Sequence, residues 1–228
     1  MNAIVKLVKD SLDVTTHGTR PYHIWMAFLT FVMLVGMYCY SIQVSEGLQV
    51  TGMSDGVSWG LYISNFTFLV GVAAAAVMLV LPTYVLKDMD FAQAVLIGEG
   101  LAVAALLMCL AFVIADMGGP ARLWHMIPGL GILNFPSSML AWDMIVLNGY
   151  LFINISIPFY ILISRYQGKK PNPKIYIPGV IISVFWAVGI HMVTAFLYQG
   201  LPSRPFWNNA LLGPRFLASA FAAGPALI

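Results

Sequence analysis

Charge is what this 228-residue chain has least of: 11 Lys and Arg and 9 Asp and Glu make up 9% of the residues, against 60% hydrophobic. A soluble domain carries about a quarter charged residues, so the shortage excludes that class. The basic residues stand singly or in a pair between apolar segments, without the long block that a nucleic-acid partner requires. Cysteine is nearly absent as well. Cys39 and Cys109 both fall inside apolar runs and lack metal-ligand spacing, which excludes a disulfide framework and an iron–sulfur cluster held by this chain. Both read as packing residues. Residues 1 to 21 lack the apolar core and small-residue cleavage site of a signal peptide, and no internal repeat is evident.

What the chain has is long hydrophobic runs. Six are placed at about 22 to 44, 57 to 86, 91 to 116, 142 to 166, 175 to 199 and 210 to 228. A hydrocarbon core about 30 Å thick takes roughly 20 helical residues to cross. Each run is continuously apolar rather than alternating, which selects helices over a β-barrel. The predicted fold is all-α, a polytopic transmembrane helical bundle of about six spans. The last run ends at Ile228 without a polar flank and reads as a span cut off there. Residues 1–21 are expected to be a cytoplasmic N-terminal segment, with Ile4, Val5, Leu7, Val8 and Leu12 among Lys6, Lys9 and Asp10 suggesting an interfacial helix. Residues 22–228 are expected to form the transmembrane domain, with its C-terminal part expected to continue beyond Ile228.

Short cytoplasmic loops are enriched in Lys and Arg. One side of the predicted topology holds Lys6, Lys9, Arg20, Lys87, Arg165, Lys169, Lys170 and Lys174, and the other holds Arg122, Arg204 and Arg215. Eight against three places the N-terminus in the cytoplasm, in a multi-pass protein of the inner membrane. The loops 45–56, 117–141 and 200–209 then face outward, and they carry most of the unusual polar residues.

Against this apolar background, Glu99 is a lone carboxylate inside the run Phe91 to Ala115. Hydrocarbon tolerates an acid where it faces a partner or a water-filled path. Polar stripes recur elsewhere: Ser58, Tyr62 and Asn65 in the second span, Asp143, Tyr150 and Asn154 in the fourth, and His191, Thr194 and Tyr198 in the fifth. Interhelical hydrogen bonding is the structural explanation for any one stripe. Asp116, Arg122, Asp143, Arg204 and Arg215 nevertheless gather near one membrane face, with Trp59, Trp142 and Trp207 at the same boundary, where an aromatic belt would also place them. An apolar cleft with hydrogen-bond donors and a nearby proton acceptor is what a redox quinone needs. His17, His23, His125 and His191 are the candidates for haem. His23 opens the first span at the inner face while His191 is 16 residues into the fifth, about 24 Å deeper at 1.5 Å per residue. That separation rules out their gripping one porphyrin.

Four motifs carry a family resemblance: Trp59-Gly-Leu-Tyr-Ile-Ser-Asn-Phe-Thr-Phe-Leu-Val-Gly71, Asp116-Met-Gly-Gly-Pro120-Ala-Arg122-Leu-Trp-His125, Leu133-Asn-Phe-Pro136-Ser-Ser-Met-Leu-Ala-Trp142-Asp143 and Arg204-Pro-Phe-Trp207. Together they resemble the NrfD/PsrC, or polysulfide-reductase, type of integral membrane subunit over roughly residues 20 to 228. Within it the pattern is most similar to the DsrP type of the Dsr electron-transfer complex of sulfur-metabolising prokaryotes, with the Hmc membrane subunit as the near alternative. The resemblance implies a subunit without haem or iron–sulfur cluster of its own. Such a subunit exchanges electrons between menaquinone and a ferredoxin-like iron–sulfur subunit on the outer face, beside other Dsr-type subunits including a multihaem cytochrome c. It also implies quinone contacts at Trp59, Tyr62, Asn65 and Arg122, extended to Trp142, Arg204 and Trp207. Proton transfer falls to Asp116 and His125 at the outer face, with Glu99, Asp143 and His191 as a route from the cytoplasm. Where polysulfide-reductase-type members place a histidine in the second span, this chain has Phe66, and members are usually longer.

Two other classes remain open on the residues alone. Pro128-Gly-Leu-Gly131 and Pro178-Gly179 are interruptions of the kind a secondary transporter places around a midplane site. A non-catalytic membrane anchor would use the polar residues for assembly only.

Overall fold

A continuous apolar run has no water to satisfy its backbone, so it closes its own hydrogen bonds as a helix. The computed structural model describes residues 3–227 apart from 55, 58, 75, 76, 78, 79, 81, 82, 84–91 and 128. The helices are α1 (Ala3–Thr16), α2 (Arg20–Glu46), α3 (Leu61–Ala73), α4 (Ala92–Asp116), α5 (Met139–Tyr166), α6 (Pro173–Gln199) and α7 (Leu212–Ala226), with 3₁₀ turns at Leu48–Thr51 and Pro120–Met126. Among the described residues the only β-pairing is an isolated bridge between Ser54 and Val57. The fold is all-α, as expected. Among the described residues four helices are long and apolar enough to cross a membrane: Arg20–Glu46, Ala94–Asp116, Met139–Tyr166 and Pro173–Gln199. Helix α3 is a shorter apolar helix. The rest of the predicted second span, with Lys87, falls largely outside the described residues, as do Ser58 and Pro128.

Helix boundaries follow local chemistry. The α6 start is set by Asn172, whose side-chain oxygen accepts from the Lys174 amide at 3.1 Å, with Pro173 in the first position. Ser138 serves α5 likewise, its hydroxyl accepting from the Ala141 amide at 3.3 Å. At the other end of α5 the chain turns at Gly168, whose φ of 72° lies in the left-handed region that glycine enters without a Cβ clash.

The chain forms two compact units, Met1–Ser58 with Ile161–Pro171, and Trp59–Tyr160 with Asn172–Ile228. In the first, α1 meets the end of α5: the Tyr166 hydroxyl donates to the Asp10 carboxylate, and the Lys6 ammonium lies 5.7 Å from the Tyr166 ring centre. Helix α2 keeps its large apolar residues exposed, among them Trp25, Phe28 and Phe31, as a lipid-facing helix does.

The second unit holds the core. Phe66, Leu106, Leu147 and Ile190 are fully buried, one each from α3, α4, α5 and α6. On α4 the buried stripe runs Val95, Glu99, Ala102, Leu106, Cys109, Val113, so Glu99 occupies a core-facing position of its helix. Because lipid is as apolar as leucine, close backbone approach rather than water exclusion holds such helices together. Gly149 on α5 illustrates it. A Cβ there would sit 2.3 Å from the Trp186 ring of α6, whose indole nitrogen donates to the Val146 carbonyl at 2.8 Å.

Candidate functional site

Helix α3 places Ser64, Thr67, Phe68 and Gly71 at i, i+3, i+4 and i+7, a single face carrying small, polar and aromatic groups. Helix α6 offers His191 and Tyr198 at i and i+7. These faces, the loop after α6 and one face of α7 line a cavity of about 370 Å³ whose wall includes Thr67, Phe68, His191, Tyr198, Trp207 and Arg215. That volume lies in the range of organic-ligand sites, and an apolar wall with few convergent polar groups is their usual composition.

The polar groups are fixed. Thr67 Oγ1 donates to the Ile63 carbonyl at 2.9 Å and lies 2.5 Å from the Tyr198 hydroxyl. With the threonine proton committed to Ile63, the tyrosine O–H donates to Thr67 and keeps a lone pair for another donor. His191 Nδ1 lies 2.6 Å from the Ala187 carbonyl, so it carries the proton and leaves Nε2 as an acceptor in the neutral ring. Among the described residues Nε2 has no hydrogen-bond partner. The aromatic wall is packed edge to face: Tyr198 lies 5.1 Å from Trp59, 5.0 Å from Trp207 and 5.6 Å from Phe216, and Trp59 stacks on Trp207 at 5.7 Å. At the exposed rim the Arg215 guanidinium lies 5.0 Å from the Phe206 ring and that of Arg204 lies 5.9 Å from Trp207.

Out of the residues singled out from sequence, the structure brings together His191, Tyr198, Trp207 and Arg215, with Trp59 behind them. Tyr62 packs instead on Phe112 at 6.2 Å, and Asn65 is half-buried on α3 without lining the cavity. Arg122 and His125 are exposed on the Pro120–Met126 turn, where His125 stacks on Trp124 at 3.8 Å. Asp116 ends α4 half-buried, and its Oδ1 has no hydrogen-bond partner among the described residues. The Trp142 indole donates to the Pro136 carbonyl at 2.9 Å. None of these four lines the cavity. Thr67 and Phe68 were missed because each is unremarkable alone; their shared face with Ser64 and Gly71 was the available signal.

A second set of polar groups is buried deeper. Asp143 is 1% exposed and sits 3.5 Å from the Thr194 hydroxyl, which bonds more closely to the Ile190 carbonyl at 2.8 Å. Glu99, Asn154 and Ser183 line a separate cavity of about 10 Å³. Among the described residues no group of three or more His, Cys, Asp or Glu is placed to hold a metal ion.

Residues 49–228 match the family model described as "Polysulphide reductase, NrfD". The chain belongs to the NrfD family. This NrfD protein is 24% identical over 237 residues to a selenate reductase subunit of Mesobacillus selenatarsenatis, covering 90% of this chain and 55% of that one. It is 25% identical over 207 residues to the Hdr-like menaquinol oxidoreductase integral membrane subunit of Archaeoglobus fulgidus, covering 91% of this chain and 49% of that one. The chain spans about half the length of these curated relatives. Where NrfD resemblance implied a histidine in the second span, Phe66 is wholly buried in the α3–α4 core.

Proposed function

We propose that this NrfD protein is the quinone-interacting membrane subunit of a multi-subunit oxidoreductase complex. It passes electrons from menaquinol to an iron–sulfur partner on the outer face. The observation that carries the reading is the cavity of about 370 Å³ whose wall holds the Tyr198 hydroxyl and the His191 imidazole among aromatic side chains. A quinol enters as a donor of two O–H hydrogens and leaves as a quinone, releasing two protons and two electrons. A hydroxyl that can accept from the first state and an imidazole that can take a proton suit this chemistry, general bases within hydrogen-bond reach being what a quinol's protons need. The phenylalanine and tryptophan wall suits the ring and its apolar tail. One relative is named a menaquinol oxidoreductase subunit, which supports the quinone assignment.

The electrons leave the chain for a docked ferredoxin-like subunit, the partner that the family resemblance implies. Arg122 and His125, exposed on their turn, and Arg204 at the cavity rim belong to that outer face, with Asp116 beside them as proton acceptor. On the inner side, Glu99 begins a proton route along buried Asn154, Asp143 and Thr194 toward His191. The DsrP type, with Dsr-type partners and a multihaem cytochrome, is the subfamily that the four motifs favour.

The test is quinol-dependent reduction of the iron–sulfur clusters in the purified complex. Ala223 lines the cavity, and Ala223→Phe should abolish reduction with assembly preserved, while Arg122→Ala should retain quinol binding. Full reduction in the Ala223→Phe complex would place the quinone elsewhere. Solute uptake by vesicles without quinol turnover would support the transporter class instead.

A further inference from the structure

Helix α1 has two unlike sides. At about 3.6 residues per turn, Ile4, Val5, Val8 and Leu12 fall on one side and Lys6, Asp10 and Asp13 on the opposite one, with Lys9 at the border. The charged side is docked. Asp10 accepts from the Tyr166 hydroxyl, the Lys6 ammonium lies 5.7 Å from the same ring's centre, and Asp13 sits 3.2 Å from His17 Nδ1. The apolar side is exposed, Ile4, Val5, Val8 and Leu12 at 42% to 61%. Two pins fix where it lies. Tyr22, in the first turn of α2, donates to the Thr15 carbonyl at 2.8 Å, and its ring is so close that a Cβ on Gly18 would meet it at 2.1 Å. Tyr166 is the last residue of α5. Both α2 and α5 are long and apolar enough to cross a membrane, so α1 is tied at Thr15 to the start of one span and at Asp10 to the end of another. Side chains lean toward the N-terminus of their own helix, so Tyr166 reaches back along α5 and holds α1 beside the last turn rather than beyond it.

A helix held at that level lies along the membrane boundary, where an apolar side is covered by the upper acyl chains. Charge selects the lipid. Over residues 3–20 and 161–171 the cations are Lys6, Lys9, Arg20, Arg165, Lys169 and Lys170, and the acids are Asp10 and Asp13, each with the partner named above. Among the described residues none of the six cations stands in an ion pair. The next acid, Glu46, ends α2, about 39 Å away along that helix. Basic residues gathered on an amphipathic helix beside a span attract acidic headgroups and gain little from zwitterionic ones. We propose that α1 and the end of α5 form a seat for anionic phospholipid. Ile4, Val8 and Leu12 enter the acyl boundary, and Lys9, Arg165, Lys169 and Lys170, whose long stems let their charges reach outward, hold the phosphates. The seat is independent of the large cavity and of the chemistry proposed there, since none of these residues lines it.

The experiment follows the α1 surface in the assembled complex. In a Cys39→Ser background, Val8→Cys on the apolar side or Asp13→Cys on the charged side carries an environment-sensitive fluorophore. The complex is placed in nanodiscs of phosphatidylcholine alone or mixed in equal parts with phosphatidylglycerol, with a nitroxide high on the acyl chains as quencher. With phosphatidylglycerol, the label replacing Val8 should be quenched severalfold more than the label replacing Asp13. In phosphatidylcholine alone that difference should shrink severalfold, and salt should reduce it in the mixture. Lys9→Gln should lower the ratio of lipid-seated to free helix about fivefold, the scale of one basic side chain at an anionic surface. Equal quenching in the two lipids overturns the proposal. So does a Val8 label shielded from water yet unquenched, which would put a protein partner on this face, and so does one open to water in both lipids.

Discussion

At the scale of single residues, the hydroxyl pair Thr67 and Tyr198 is the feature with the sharpest consequence. Its 2.5 Å contact orients the tyrosine proton, and therefore the lone pair offered to the cavity. Tyr198→Phe keeps the ring among Trp59, Trp207 and Phe216 and removes only the oxygen. We expect quinol-dependent electron transfer to fall about tenfold or more, consistent with loss of one positioned proton-accepting group, with the assembled complex retained. Thr67→Val should fall less, because it frees the tyrosine proton without deleting the acceptor; stopped-flow reduction of the two variants checks the order. Equal rates in both would remove the pair from the chemistry.

At the scale of elements, the helix pair α5 and α6 depends on Gly149. A Cβ would meet the Trp186 ring at 2.3 Å, so Gly149→Val must push the helices apart or break the indole bond to Val146. Overpacking of this kind costs about 1 to 3 kcal/mol, and thermal unfolding in detergent should show a lowered midpoint. The paired variant Gly149→Val with Trp186→Phe, which removes ring bulk, should recover part of the loss. Asn172→Ala at the α6 start should cost about 1 kcal/mol as an N-cap, without altering the cavity.

At the scale of the whole molecule, the orientation read from the Lys and Arg distribution predicts opposite accessibility of the two loop sets. In a Cys39→Ser background, a cysteine at Lys169 should react with an impermeant maleimide only in inverted vesicles, and one at Ser203 only in intact cells. All three positions are exposed in the structure. The reverse pattern would invert the topology and move the large cavity to the cytoplasmic side.

Hydrophobic runs and the scarcity of charge determined the helical membrane fold, because in hydrocarbon the backbone has only its own segment to bond with. The four motifs were enough to indicate the family. Sequence also marked Glu99, Asp143 and His191 as unusual, since each is costly in an apolar helix. It could not say which polar residues meet. The cavity depends on how α3 abuts α6 and α7, a pair far from it in sequence: Gly71 against Ala220, and Thr67 against Tyr198 across 131 residues. Arg122 and Trp207 looked equivalent in sequence as polar and aromatic residues of outer loops. Tertiary packing put Trp207 in the cavity wall and left Arg122 exposed on its turn, because ridge-and-groove contacts between helices, unlike the 3.6-residue period of each one, depend on the partner's surface.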